Sequence, residues 1–244
     1  MSFSIGSTSA EWSQRSGLST WFENETSSTN AIAKEKPLSE TPTIELYITE
    51  HQTAGRGRGD HQWNESEDFG GALLSSWVFP RASAPSPILS PLIGLAMMRA
   101  FYQTWPFLDW NLKAPNDLYL GDKKVAGLLI ENIENKNYHR FIVGFGFNVF
   151  TQPPLETATH LAHQLHKHNE KLAVTLPEWT QALDRMLLEL TLVASRSDSM
   201  LSPTDQASLL WALNRHPLLP EKYVSISEDG SLHTTSKTIH WSDL

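Results

Sequence analysis

Gln52-Thr53-Ala54-Gly55-Arg56-Gly57-Arg58-Gly59 is the stretch on which the reading of this chain turns. Thr43-Ile44-Glu45-Leu46-Tyr47-Ile48-Thr49, just ahead of it, alternates in the manner of a strand half buried on one face. The strand then runs into a loop, because glycine at every second position from 55 to 59 defeats regular structure. Glycine permits close backbone approach, so N–H groups can converge on an anion while Arg56 and Arg58 add fixed charge. The plainer alternative is a basic surface loop. No Gly-Lys-Ser/Thr follows, as a P-loop requires, and no GxGxxG opens a helix.

Working outward, Ser28-Thr29-Asn30 supplies N-cap residue types ahead of a short helix over 31–36, with a first strand over 21–25. Residues 71–79 read as a strand and 86–105 as a helix with Leu92, Leu95, Ala96 and Arg99 on one stripe. Short strands follow over 109–113, 118–120, 124–134 and 138–149, with Gly121-Asp122 as the turn between the second and third. Trp179, Leu183, Met186, Leu187, Leu190 and Val193 then recur at helical spacing over 178–194, and another helix covers 203–215. Two or three small strands are expected over 223–241. The expected fold class is α+β, or mixed α/β: a central mixed β-sheet flanked by helices, with a short β C-terminal appendage. The expected domains are 1–214, whose first twenty or so residues are a loose lead-in, and 215–244.

Composition narrows the functional classes. With 244 residues, 40% of them hydrophobic, nine Trp and ten Phe, the chain can bury a sizeable core. A net charge of −8 argues against nucleic-acid or anionic-membrane binding, although a local basic pocket is still allowed. The absence of cysteine excludes disulfides, thiol catalysis and Cys-based zinc sites, and suits a reducing cytoplasm. No Sec signal or membrane span is expected; the most apolar stretch, 87–102, is broken by Ser90, Pro91 and Arg99.

A second constellation runs from Lys113-Ala114-Pro115-Asn116-Asp117 to Lys123-Lys124-Val125-Ala126-Gly127. Lys124 can send its ammonium into a cleft while its stem packs on an apolar wall; Lys123 reads as an exposed turn residue. Gly127 inside an apolar strand suggests a bulge or a ligand against the backbone. Asp117 is open to three readings: a partner for Lys124, a magnesium ligand, or a proton acceptor. Gly144-Phe145-Gly146-Phe147-Asn148 leaves room for a flat ring, or is a β-bulge. His160, His163, His166 and His168 lack HExxH and a carboxylate pair, and read as a solvated helix face rather than a zinc site.

Taken jointly, Ser28-Thr29-Asn30, Gln52 to Arg58, Trp63, Lys113 to Asp117, Lys124 to Gly127 and Gly144 to Asn148 resemble the catalytic domain of biotin–protein ligases in order and spacing. The resemblance covers residues 21–150. It implies a mixed sheet flanked by helices with a small SH3-like C-terminal domain, here reduced. It implies a ligase that joins biotin to ATP as biotinoyl-AMP, releases pyrophosphate, and passes the biotinoyl group to a lysine on a carrier domain of a biotin-dependent carboxylase. By that resemblance Lys124, Arg58 and Asp117 are catalytic, with Asp117 deprotonating the acceptor lysine. Ser28, Thr29, Asn30, Gln52, Gly55, Arg56, Gly57, Arg58, Lys124 and Gly127 contact biotin or its adenylate, and Trp63 and Asn148 face the adenine. Magnesium enters with ATP rather than on protein ligands, and neither nucleic acid nor membrane is a partner.

This sequence departs from the family pattern in three places. Gly59-Asp60-His61 stands where further basic residues are usual, Ala114 replaces a tryptophan, and the tail after Arg215 is short for an SH3-like domain. The Ser-Thr-Asn motif begins at residue 28, which leaves no room in this sequence for an N-terminal winged helix. Two alternatives stand beside the ligase reading: lipoate or octanoate attachment on the related fold, and a biotin- or nucleotide-binding module without turnover.

Overall fold

Alternating and continuous apolar runs of β-branched and aromatic residues build the larger sheet of this protein, here described from a computed structural model. The structure describes residues 3–36, 43–59, 61–63, 69–81, 84–135, 138–197 and 199–244. In chain order the elements are α1 (Ile5–Arg15), β1 (Ser19–Thr26), α2 (Thr29–Glu35), β2 (Glu45–Gln52), β3 (Ala72–Arg81), α3 (Leu89–Thr104), β4 (Trp110–Lys113), β5 (Asp117–Leu120), β6 (Lys123–Asn135), β7 (Tyr138–Asn148), α4 (Leu161–His168), α5 (Leu176–Ala194), α6 (Pro203–Asn214), β8 (Ser225–Ile226), β9 (Leu232–His233) and β10 (Thr238–Ile239). A final 3₁₀ turn spans Trp241–Asp243. The chain divides into two compact units, residues 1–84 with 125–180, and residues 85–124 with 181–244.

In the first unit the strand order is β1-β2-β3-β7-β6. β1 and β2 run parallel, while the β2–β3, β3–β7 and β7–β6 pairs are antiparallel, so the sheet is mixed as expected. Side chains alternate between faces at period two. One face carries Trp77, on which Trp12 of α1 packs, and Phe147, on which Trp179 stacks. The other face carries Tyr47, Val78 and Ile142, and Ala33 of α2 completes that cluster. Buried Arg140 on β7 fixes the far end of α2, donating to the Ala33 carbonyl at 2.7 Å and to that of Lys36, and pairing with Glu45 at 3.3 Å. A cation at a helix C-terminus complements the orphan carbonyls there. Losing one member of this buried pair would cost about 3–5 kcal/mol.

The second unit holds α3, the antiparallel β4–β5 hairpin, α6 and the three-stranded antiparallel sheet β10-β9-β8. Phe101 stacks between Trp105 and Trp110, all fully buried. Ser202 and Asp205 form a reciprocal capping box at the start of α6, with Pro203 in the first turn, which is why the chain turns helical there.

The sequence reading is corrected in three places. Residues 1–20 are not a loose lead-in, since α1 and the start of β1 occupy them, with Ile5, Ala10 and Trp12 buried. The helix starts because Ser4 caps it while the Glu50 carboxylate accepts from Ser7 N at 2.7 Å, a partner distant in sequence. Gly127 is not a bulge, because Ala126, Gly127 and Leu128 pair in unbroken register with Phe147, Gly146 and Phe145. The same register removes the bulge reading of Gly144 and Gly146. Asp60, together with positions 64–66 of the loop, lies outside the described residues. Among the described residues no helix is long and apolar enough to cross a membrane.

Candidate functional site

The face that α2 covers is only partly covered. Where α2 begins, β7 presents Gly144 and Gly146 on that same face, with Gly127 of β6 directly across from Gly146. Side chains are missing from this strip, and polar groups from α2, β2, β3 and β6 take up the space. Thr29 donates to Gln52 Oε1 from its N–H at 2.8 Å and from its hydroxyl at 3.3 Å. Ser76 donates to Asn30 Oδ1 at 2.5 Å and lies 2.8 Å from the Thr29 hydroxyl. Asn30 Nδ2 donates to Glu131 Oε2 at 2.8 Å and to the Leu129 carbonyl at 3.3 Å. Lys34 Nζ pairs with Glu131 Oε1 at 2.5 Å. Ser28, Thr29, Asn30 and Ser76 are buried, so each of these bonds forms where an unpaired polar group would be costly.

Close approach explains the two glycines of β7. A Cβ on Gly144 would sit 2.4 Å from Asn30 Oδ1, and one on Gly146 would sit 2.8 Å from the Trp63 ring. The indole of Trp63 therefore lies on the bare β7 backbone. Its Nε1 is buried with no hydrogen-bond partner among the described residues.

The Gly-Arg loop folds as a small hairpin. Trp63 N donates to Gly55 O at 3.0 Å, Gly57 N donates to His61 O at 2.8 Å, and Arg56 bridges Gln62 between them. Thr53 and Ala54 N–H groups are spent on the carbonyls of Thr26 and Ser27, both at 2.9 Å. The N–H groups of Thr53, Ala54 and Gly57 are thus engaged within the protein, and Arg56 and Arg58 are the cationic groups of the loop. Arg56, 51% exposed, reaches to 3.9 Å from Glu131 Oε1.

In the second unit, Lys124 Nζ pairs with Asp117 Oδ1 at 2.6 Å, the first of the three readings left open for Asp117. Lys113 lies over the Tyr119 ring, 5.8 Å from its centroid. Asn148 shares its β7 face with Gly144 and Gly146 but is buried, and its amide donates to the Thr159 carbonyl at 3.2 Å. The structure thus gathers Ser28, Thr29, Asn30, Gln52, Arg56 and Trp63 around the glycine strip of the first unit, and pairs Lys124 with Asp117 within the second.

Among the described residues no group of three His, Asp or Glu side chains could hold a metal ion. His163, His166 and His168 are exposed, as a solvated face requires. His160 instead caps α4, its Nδ1 accepting from His163 N at 3.2 Å, and burial lowers its pKa below the usual imidazole value.

Ser76, Glu131 and Lys34 belong to the cluster and were missed in the sequence. The signals were faint but present: Ser75-Ser76 inside Ala72-Leu73-Leu74 and Trp77-Val78-Phe79, and Glu131 after Leu128-Leu129-Ile130. A polar residue in an apolar strand needs a buried partner.

Comparison with known proteins adds to this geometry. The model of the biotin/lipoate A/B protein ligase family matches residues 22–148. The bifunctional ligase/repressor BirA of Bacillus subtilis is 31% identical over 129 residues, 52% of this chain and 39% of that protein. The biotin–protein ligase of Schizosaccharomyces pombe is 26% identical over 186 residues, 62% of this chain and 28% of that protein. The chain thus spans well under half the length of these curated relatives. A solved structure of the biotin protein ligase from Aquifex aeolicus in complex with biotin and ATP superposes with a TM-score of 0.64 at 23% identity, covering 91% of this chain and 94% of that one.

Proposed function

The chain belongs to the biotin/lipoate A/B protein ligase family, and from that premise we propose that it is an ATP-dependent biotin–protein ligase. A carboxylate oxygen of biotin attacks the α-phosphorus of ATP, the bond to the β-phosphate oxygen breaks, and pyrophosphate leaves. The amine of a carrier-domain lysine then attacks the carbonyl of biotinoyl-AMP, AMP leaves, and an amide remains. The carrier domain is that of a biotin-dependent carboxylase.

One observation carries the reading: a largely buried cluster of hydrogen-bonded neutral side chains, Thr29, Asn30, Gln52 and Ser76, lies against a strip of backbone without side chains, with Arg56 close to its Glu131 carboxylate. A cyclic urea is neutral and needs fixed donors and acceptors, which Ser28, Thr29, Asn30 and Gln52 offer. A flat bicyclic ring fits against backbone that carries no side chain, as at Gly127, while the Trp63 ring already lies over its β7 partner Gly146. The valeryl carboxylate and the α-phosphate repel each other, and Arg56 and Arg58, on the loop that Gly55 and Gly57 allow to fold back, spread that charge as it builds. Lys124 is assigned to the same neutralisation. Asp117, now its ion-pair partner, is assigned to take the proton from the incoming lysine. Trp63 and Asn148 are assigned to the adenosine side. Magnesium arrives as MgATP and assists the departing pyrophosphate.

Pyrophosphate release from MgATP is the test, run with biotin, lipoate or no acid, with and without a biotin carrier domain. Biotin-dependent release followed by carrier labelling is expected. Release with lipoate alone would move the protein to the other branch of the family. Biotin binding with no release would make it a binding module.

A further inference from the structure

Glu131 sits at the middle of the candidate site, yet none of the assigned roles uses it. Its carboxylate faces three groups: Asn30 Nδ2 at 2.8 Å, Lys34 Nζ at 2.5 Å and Arg56 Nη1 at 3.9 Å. We propose that Glu131 is a positioning residue that fixes the Asn30 amide in one orientation and holds Arg56 back until an anionic ligand draws it away. The proposal deepens the ligase reading and rests on it for the identity of the ligand.

The orientation of Asn30 follows from counting. Both acceptors on the β6 side, the Glu131 carboxylate and the Leu129 carbonyl, take the two protons of Nδ2. Ser76, a donor on β3, takes one lone pair of Oδ1. A flipped amide would put Oδ1 against a carboxylate and a carbonyl, so only one arrangement is satisfied. Asn30 therefore has one capacity left for a ligand, the second lone pair of its oxygen. It reads an N–H, and Glu131 is what makes it an acceptor rather than a donor.

Charge balance explains the Arg56 contact. One cation neutralises one carboxylate, and Lys34 is the nearer and less exposed of the two, at 28% against 51%. Arg56 is the surplus cation, held at a longer distance and mostly in solvent. Such an exposed pair is worth little and is readily exchanged. A carboxylate or phosphate that accepts both arms of the guanidinium fork is a stronger partner. Glu131 thus keeps Arg56 near the pocket without binding it tightly.

Two variants separate the two roles. Glu131→Gln retains an oxygen to accept from Asn30 but removes the charge. Glu131→Ala removes both. Titration calorimetry with biotin and with its neutral carboxamide, on the full chain, reads the difference. For Glu131→Gln the ratio of acid to amide affinity should rise about two- to fivefold, because Arg56 no longer has a competing anion. For Glu131→Ala both ligands should weaken, the amide about tenfold because the Asn30 amide is free to turn, and the acid less because Arg56 is released as well. An acid-to-amide ratio unchanged in Glu131→Gln, or wild-type affinities in Glu131→Ala, would overturn the proposal. A readout without ligand stands beside these: trypsin cleavage after Arg56, followed by mass spectrometry, should be faster in Glu131→Gln than in the wild type. Equal rates would refute the hold on Arg56 whatever the ligand is. A wild-type protein that neither binds biotin nor releases pyrophosphate with it would count against the ligase reading, and the proteolysis comparison would still judge the contact.

Discussion

Replacing Gly144 with alanine tests the glycine strip most directly. The added Cβ would lie 2.4 Å from Asn30 Oδ1 and 2.8 Å from both Cγ and Nδ2 of the same side chain, well inside van der Waals contact. The backbone has nowhere to retreat, since Gly144 is paired to Ser76 on one side and Leu129 on the other. Asn30 must therefore give way, and it is buried with bonds to Ser76, Glu131 and Leu129. Overpacking of this kind costs about 1–3 kcal/mol. In a chain of this length that lowers the melting temperature by roughly 2–12 °C. Each hydrogen bond lost to ligand adds about 1–3 kcal/mol, so biotin affinity should fall roughly 5- to 150-fold. Gly146→Ala is the informative contrast. Its Cβ would meet the Trp63 ring at 2.8 Å, and Trp63 belongs to the loop hairpin and not to the paired strands of the sheet. Its melting temperature should move little while ligand binding still suffers. Thermal denaturation and calorimetry on the two variants give both readouts. A Gly144→Ala protein that melts and binds as the wild type does would refute the claim that Asn30 is wedged against bare backbone.

Three further outcomes are expected. Asp117→Asn should leave biotinoyl-AMP formation in place and slow its transfer to the carrier, measured by single-turnover assay; full-speed transfer would remove Asp117 as the base. Glu50→Ala should cost about 0.5–2 kcal/mol in urea denaturation and weaken amide-exchange protection in the first turn of α1, since Ser7 N loses its acceptor; unchanged protection there would show that Ser4 alone caps the helix. His216 is held below the usual imidazole pKa of 6.5, chiefly by burial and then by Lys113 and Lys222, while its ring lies 2.8 Å from Asn111 Oδ1. A depressed histidine stabilises the fold fully above its unfolded pKa, and that stability is lost as pH falls through the folded value. Urea midpoints taken from about pH 7.5 to about pH 5 should therefore fall in the wild type and fall less in His216→Gln; parallel curves would exclude His216 as the cause.

What was legible in the sequence was whatever local pattern determines. The strands from Glu45 to Asn148 follow alternation, and the Gly-Arg loop, the Gly121 turn and the capped α6 follow turn and cap chemistry. Ser28, Thr29, Asn30 and Gln52 were found by family resemblance, and the structure gathers them at one end of α2. The parts that escaped depend on partners distant in the chain. The buried face of α1 is made largely of small and polar residues, Gly6, Ser9, Ala10 and Ser13, which do not stand out as apolar; its first turn is completed by Glu50, and its Ser9 hydroxyl accepts from the Trp179 indole at 3.0 Å. Glu131 meets Lys34 and Asn30 across about a hundred residues of sequence, a separation no window of periodicity spans. The Gly-Arg loop shows a related limit. Glycine spacing shows that backbone N–H groups can point anywhere, but not that Gly57 would spend its own on His61.

The tail and the Ala114 departure prove to be one question. A family tryptophan at position 114 would fill the wall beside Pro115-Asn116-Asp117, and alanine leaves that volume empty. Within the second unit, Ala114, Pro115, Asn116 and Asp117 line a cavity together with Pro91, Gly94, Leu213 and Trp241, and the space left is only about 10 Å³. That is at or below what one water needs. The indole of Trp241, from the last 3₁₀ turn, lines that same small cavity beside Ala114. Small size at 114 and a large ring at 241 are complementary, so each makes sense of the other. The segment bearing Asp117 is buttressed by Trp241, which gives the 3₁₀ turn at 241–243 a packing role within the second unit.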